Sequence, residues 1–170
     1  GLEAGNNLSD FSGNFDLSNR IEVTRENEEV VVNPTPTESC TAGTNLSLDA
    51  TIVSVTNEDD ENVAENAIDG NPNNRWSGEV FPQNIVIDLG SAYDVNEINL
   101  LPFQGRAYQF LVEGSTNSAT SGFSTLVDAT NNTTGGENIN RAFTSQNVRY
   151  VRLTVTGASG YTGPWTSIHD

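Results

Sequence analysis

The chain has 170 residues, 35% of them hydrophobic, and a formal net charge of −16 at pH 7. Such acidity repels phosphate backbones and anionic lipid surfaces, so nucleic acid and anionic membranes are poor partners. No apolar run reaches membrane-spanning length, the 7 basic residues are all arginine, and a lone Cys40 allows neither an internal disulfide nor a multi-thiolate metal site.

Residues 1–32 form a polar arm, read as the tail of a preceding domain or as an arm that docks on the next one. Within it, β-branched runs flank a polar turn at 20–33 and predict a short hairpin. "NPTPTES" follows, two prolines among Thr and Ser, the composition of a semi-rigid extended linker, and a linker is placed at 33–44. Cys40 sits at its edge as an incidental small residue; pairing with an upstream cysteine is the alternative. No export leader is visible and the chain opens on "GLEAGNN", so it reads as a fragment or processed form.

The pattern changes at 45–170. "DATIVSVT" (49–56) is rich in β-branched residues, and "NIVIDLG" (84–90) sets Ile85, Ile87 and Leu89 on one face. "DVNEINLLPF", "YQFLVEGS", "FSTLVDAT" and "INRAFT" continue the series, each bounded by Gly, Asn, Pro or Ser. "VRYVRLTVTG" (148–157) is the strongest strand, with Val151, Leu153 and Val155 on one side and Tyr150, Arg152 and Thr154 on the other. Many short strands without a helical period predict an all-β fold, an antiparallel β-sandwich of jelly-roll type.

The stretch "ENAIDGNPNNRWSG" (65–78) is too polar for a strand and too broken for a helix. It gathers side-chain and backbone oxygens, and hard cations such as Ca²⁺ want six to eight of them. Asp69 offers a carboxylate, Asn71 and Asn74 offer amide oxygens, and Gly70 and Pro72 permit a sharp reversal. Ca²⁺ suits the set better than Zn²⁺, which prefers thiolate and imidazole. A plain Asx-rich turn accounts for the same composition.

"NAIDGNPNNRWSG", "PQNIVIDLGSAYDVNEINLLP", "YQFLVEGSTN" and "NVRYVRLTVTG", in this order, resemble the coagulation factor 5/8 C-type (discoidin) family, most closely the family 32 carbohydrate-binding modules of secreted bacterial polysaccharide-degrading enzymes. The resemblance spans about residues 45–170. It implies a galactose-binding-domain-like, eight-stranded jelly roll with a structural Ca²⁺ ahead of Trp76. By position the ligands are the Asn66 carbonyl, the Asp69 carboxylate, an oxygen of Asn71, and Asn74, where the family commonly has Thr. A carbonyl and a carboxylate from the last strand fall on His169 and Asp170, with Asp where Glu is usual. The chain stops before the family's final strand is complete, which is expected to weaken the closing ligand and the last strand pairing. Trp76 is expected in the core or behind the ligands rather than as a sugar platform.

Sandwiches recognise ligands through end loops. A sugar site needs an exposed aromatic plane and a few fixed hydrogen-bonding groups. "LPFQGRAY" (101–108) offers Phe103 for stacking and Gln104 and Arg106 for hydroxyls, with Tyr108 and Phe110 as core and Arg106 alternatively paired to an acidic neighbour. "GASGYTGPWTS" (157–167) displays Tyr161 and Trp165 on a Gly-rich loop, with Trp165 alternatively packed inward. Glu79 and Phe81 in "SGEVFPQN" are weaker contributors. The acidic run "NEDDEN" (57–62) reads as a solvated face that would disfavour anionic glycans if it rims the site.

The 23 acidic residues leave an acid/base carboxylate pair open by count, but no pair stands out from the acidic surface. The one histidine, His169, sits beside the metal ligands, no G-x-S-x-G turn occurs, and a chain without Lys carries no phosphate-binding loop. The expectation is a non-catalytic, monomeric carbohydrate-binding module, extracellular or at the bacterial cell surface. It would be tethered to a glycoside hydrolase or polysaccharide lyase and bind a polysaccharide or oligosaccharide. A cell-surface adhesion or protein-binding domain is the competing reading. The acidity leans toward neutral sugars, although Arg106 can read a uronate locally.

Overall fold

The computed structural model describes residues 43–170. The polar arm, the hairpin expected at 20–33, Cys40 and all but the last two positions of the linker lie outside the described residues.

Seven strands follow one another among the described residues: β1 Thr51–Val55, β2 Trp76–Glu79, β3 Gln83–Leu100, β4 Ala107–Ser115, β5 Ser124–Ala129, β6 Ile139–Ser159 and β7 Trp165–Ile168. Helix among the described residues is confined to short 3-10 turns at Ser47–Asp49, Ala64–Ala67 and Phe103–Gly105. Every strand pairing is antiparallel, in a five-stranded sheet of order β1-β3-β6-β4-β5 and a two-stranded sheet of β2 and β7.

Two elements are longer than their sequence breaks suggest. "NIVIDLG" and "DVNEINL" form one strand, β3, and "INRAFT" and "VRYVRLTVTG" form another, β6. Gly90 bends the chain without ending the strand: its φ is +83°, and its N–H donates to the Asp88 carboxylate at 2.8 Å. The β3–β6 register shifts between Asp88 and Tyr93 and again between Val95 and Glu97. The first half of β3 lies between β1 and β6, whereas its 93–100 half pairs with β6 alone. Seven strands are thus found among the described residues where eight were expected.

The end of β3 ties the two sheets together. The His169 N–H donates to the Leu101 carbonyl at 2.8 Å, and the Leu101 N–H donates to the Asp170 carbonyl at 2.6 Å. The expected weakness of the last strand is not seen, because β7 keeps its full register on β2, from Trp76↔Ile168 to Glu79↔Trp165.

The inward faces meet in one cluster that includes Trp76, Ile85, Tyr108, Phe110, Leu153, Val155 and Ile168. Trp76, Tyr108, Phe110 and Val155 are fully enclosed. Burial of a large aromatic of this kind is worth about 3–5 kcal/mol against alanine. Trp76 is therefore core, and its indole N–H donates to the Asn57 carbonyl at 3.0 Å, which satisfies its one polar atom. A cavity of about 660 Å³ lies against Ile87, Val112, Leu126, Phe143 and Val151. Its lining is aliphatic and aromatic on the sheet face, and it contains none of Phe103, Arg106, Tyr161 and Trp165.

Candidate functional site

Two adjoining sites lie where β2, the 101–106 connection, the 157–164 loop and β7 converge. The first is the oxygen-rich loop ahead of Trp76. The Asp69 carboxylate accepts the Asn71 N–H at 2.8 Å through Oδ1 and the Asn74 amide at 2.6 Å through Oδ2. The Asn66 amide donates to the Arg75 carbonyl at 2.9 Å, and its oxygen accepts from the Asn74 amide at 3.1 Å. Asn71 caps its own turn, its amide oxygen accepting the Asn73 N–H at 3.1 Å. His169 reaches across from the end of β7 and hydrogen-bonds the Asn74 carbonyl through Nδ1.

Burial pushes the Asp170 carboxyl above its ordinary pKa; the neighbouring Asp69 charge adds to this, and the Gly70 N–H partly offsets it. Among the described residues neither Asp69 nor Asp170 is in a salt bridge. Asn74 Oδ1 is buried and has no hydrogen-bond partner, and such an atom calls for a partner. Among the described residues no three carboxylate, imidazole or thiolate groups converge. The donor set is instead two carboxylates with amide and carbonyl oxygens, the chemistry of a hard cation rather than zinc. The residues present fit Ca²⁺, with Asn66, Asp69, Asn71, Asn74, His169 and Asp170 all at this one place.

The second site is a stack. The Arg106 guanidinium lies 4.0 Å from the Tyr161 ring centroid and 5.2 Å from that of Phe103. Arg75, at the end of the oxygen loop, lies 4.5 Å from the same Phe103 ring. The His169 ring is tilted against Phe103 with centroids 5.6 Å apart, so the two sites share a wall. Such contacts are worth about 0.5–1 kcal/mol each when exposed.

Arg106 is fixed from behind. Its Nη1 donates to the Tyr108 hydroxyl and to the Trp165 carbonyl, each at 3.1 Å, and Nη2 reaches Gln104 Oε1 at 3.4 Å. The Tyr108 hydroxyl also accepts the buried Ser167 N–H at 2.7 Å. Burial raises the Tyr108 pKa, with Arg106 and the Ser167 N–H pulling the other way, so the hydroxyl stays protonated. The acidic partner that Arg106 was offered is absent: the ion pairs found among the described residues are Arg149–Asp88 and Arg152–Glu113.

The loop backbone is unusual here. Gln104 has φ +57° and Gly105 φ +64°. A left-handed glutamine is uncommon, and such conformations persist where the surroundings enforce them, often at ligand sites. Gly105 is held by its N–H to Pro102 at 3.2 Å, and its carbonyl accepts the Gly136 N–H at 3.1 Å. Across the site, a Cβ on Gly163 would fall 2.3 Å from the Tyr161 hydroxyl, so the hydroxyl end of the ring packs against a glycine.

Phe103, Gln104, Arg106, Tyr161 and Trp165 thus come together, with Trp165 contributing its backbone carbonyl and a half-buried ring. Glu79 is opposite Trp165 in the β2–β7 register, with its side chain in solvent. Phe81 belongs to the core margin instead. The "NEDDEN" run is only partly a solvated face. Glu58 accepts the Ala64 N–H at 2.9 Å, Asp59 accepts from the Asn62 amide at 2.6 Å, and Asn57 accepts the Glu79 N–H at 2.7 Å. Two residues lacked any signal in sequence. Val80 is an exposed apolar side chain whose N–H donates to Pro164 at 2.9 Å, and buried Asn132 donates to the Tyr108 carbonyl at 2.9 Å.

The F5/8 type C domain profile matches residues 51–170. The chain belongs to the F5/8 type C domain family. No curated protein sequence matches it. Among solved structures it is similar to CBM32-3 from a family 31 glycoside hydrolase of Clostridium perfringens, at 24% identity and TM-score 0.63, over 72% of this chain and 88% of that one. It is similar also to chitosan-binding module 1 of a chitosanase/glucanase from Paenibacillus sp. IK-5, at 28% identity and TM-score 0.63, over 74% and 94%. A third neighbour is the CBM32 of AlyQ, solved in complex with 4,5-unsaturated mannuronic acid, at 30% identity and TM-score 0.56, over 70% and 92%. The F5/8 type C fold accounts for the two-sheet jelly roll and for the placement of the loops at one end.

Proposed function

We propose that this F5/8 type C domain is a non-catalytic carbohydrate-binding module, carried on a secreted or surface-held bacterial polysaccharide-degrading enzyme and stabilised by a Ca²⁺ ion in the 66–74 loop. The observation that carries the reading is the Arg106 guanidinium held between the Phe103 and Tyr161 rings at the rim of the sandwich. Sugars present apolar C–H faces and hydroxyl pairs, and a ring beside a pre-positioned planar donor matches both. Structural neighbours solved as carbohydrate-binding modules, one of them with a bound uronic sugar, support the same reading.

The module has no part in bond cleavage here. Tyr161 and Phe103 supply stacking planes, Arg106 and exposed Gln104 supply hydrogen bonds, and the rigid sheets hold them in place. The cation would be held by Asp69, Asp170 and Asn74 Oδ1 with carbonyls of the same loop, and its role is to fix that loop. Single-site affinity is expected to be weak, because a rim site buries little area. Tethering to an enzyme compensates by raising effective concentration at the polymer.

A glycan-binding screen tests the reading, run on the chain and on Tyr161→Ala. Binding that Tyr161→Ala removes, at an unchanged melting temperature, supports it. Absence of binding across neutral and acidic glycans, with capture of a cell-surface protein instead, would replace it with the adhesion reading.

A further inference from the structure

Resting on the carbohydrate reading, the class of sugar follows from a charge that the protein leaves unneutralised. Five arginines lie in the described region: Arg75, Arg106, Arg141, Arg149 and Arg152. Arg149 and Arg152 take carboxylate partners at 2.8 Å. Arg141 is spent on Asn140 and Asn132, at 2.8 and 2.9 Å. Arg75 and Arg106 both lie against the Phe103 ring, and among the described residues their hydrogen bonds go to neutral groups: Ser77 for Arg75, and Tyr108, Trp165 and Gln104 for Arg106.

Arg141 likewise lacks a carboxylate, yet its guanidinium is taken up by two neutral bonds; what sets Arg75 and Arg106 apart among the described residues is that two guanidiniums without an ion pair lie against one aromatic ring. Acidic groups are near in sequence, yet they are engaged elsewhere: Glu58 accepts the Ala64 N–H, Asp59 the Asn62 amide, and Asp69 the Asn71 N–H and the Asn74 amide.

The edge that Arg106 leaves open is specific. Its Nη1 carries the two structural bonds, Nη2 makes a single long contact at 3.4 Å, and among the described residues Nε makes no hydrogen bond. Nε and Nη2 form the side fork of a guanidinium. Arg149 uses that fork on Asp88, with Nε to Oδ1 at 2.8 Å and Nη2 to Oδ2 at 2.9 Å. A planar carboxylate is the complement of this fork.

We propose that the Phe103–Arg106–Tyr161 site recognises an acidic sugar, a hexuronic acid unit whose C5 carboxylate takes the Nε/Nη2 fork of Arg106, with Arg75 as the second positive charge and an aromatic ring under the sugar face. The net charge of −16 does not oppose this at contact range, because exposed charges beyond about 8 Å are screened at physiological ionic strength. It slows the approach of a polyanion and leaves the local pairing intact.

The test compares trimers of galacturonate, mannuronate and glucuronate with their methyl esters and with the neutral trisaccharides of galactose, mannose and glucose, by calorimetry. At least one free acid is expected to bind about tenfold or more tightly than its ester and its neutral counterpart, the range of a charged hydrogen bond. The ester removes the charge from the ligand, so the comparison does not depend on a variant folding. Arg106→Gln and Arg75→Gln, each checked by melting temperature, are expected to collapse that ratio. Sugar binding in which no acid is preferred over its ester or its neutral trisaccharide overturns the uronate assignment and leaves the carbohydrate module standing. Equal preference for a sulfated neutral oligosaccharide overturns the carboxylate fork. No binding by any sugar, acid or neutral, overturns the module reading itself.

Discussion

Replacing Tyr108 with Phe removes one oxygen from a fully buried ring and leaves the ring's packing in place. That oxygen accepts the buried Ser167 N–H at 2.7 Å and one N–H of Arg106 at 3.1 Å. Its 3.5 Å approach to the Trp165 carbonyl is too long to count for much. Without the hydroxyl, Ser167 keeps a buried donor with no partner, at a cost of about 1–3 kcal/mol. Arg106 retains Trp165 and Gln104 and lies partly in solvent, so its loss is smaller. The sum is about 2 kcal/mol, and for a domain of this size Tm falls by roughly 7 °C. Urea denaturation measures it as a lower midpoint at constant slope. Glycan affinity is expected to fall as well, since Arg106 loses one of its rear anchors, but by less than in Arg106→Gln. A Tyr108→Phe protein within about 0.5 kcal/mol of the parent would refute the reasoning, because surface substitutions reach no further.

Three other outcomes are expected. Ca²⁺ at a hundredfold excess over its Kd adds about 2.7 kcal/mol by mass action on the folded state; Asp69→Asn abolishes the response, and an unchanged melting temperature between excess calcium and excess chelator contradicts the cation site. The Arg149 hydrogen bond holds the Asp88 carboxyl below its ordinary pKa, and the Gly90 N–H adds to this against partial burial. A depressed carboxyl stabilises the fold above the ordinary aspartate pKa of about 4 and loses that contribution as pH falls through and below it. Asp88→Asn is therefore expected to narrow its stability gap from the parent on acidification from neutral pH to pH about 3, and a constant gap refutes the linkage. A Cβ on Gly135 would fall 2.1 Å from the Gly105 carbonyl. Gly135→Ala is expected to displace the loop that holds Gln104 and Arg106, destabilising by about 1–3 kcal/mol and weakening glycan binding together, and parent-like calorimetry would show that the loop yields freely.

The acidity, the alternating strands and the oxygen-rich loop were legible in sequence because each is a local matter. Asn66, Asp69, Asn71 and Asn74 lie within one turn of chain, so composition alone brings their oxygens together. Alternation at 84–90 and 148–157 names the inward faces, since successive side chains of a strand point to opposite sides. Gly90 misled, because a glycine that ends a strand and one that bends it read alike until the partner strand is seen.

What tertiary structure decided is everything that depends on residues far apart in the chain. Phe103 and Arg106 meet Tyr161 only because β4 and β6 pair antiparallel and return the 157–164 loop to the 101–106 turn. The state of Arg106, stacked and hydrogen-bonded but without a carboxylate, is a property of that meeting. So is Trp76, whose burial depends on β7 closing over β2. Local composition sets what a segment can offer; the long-range pairing of strands sets which offers face each other, because a side chain's neighbours are chosen by register and not by sequence distance.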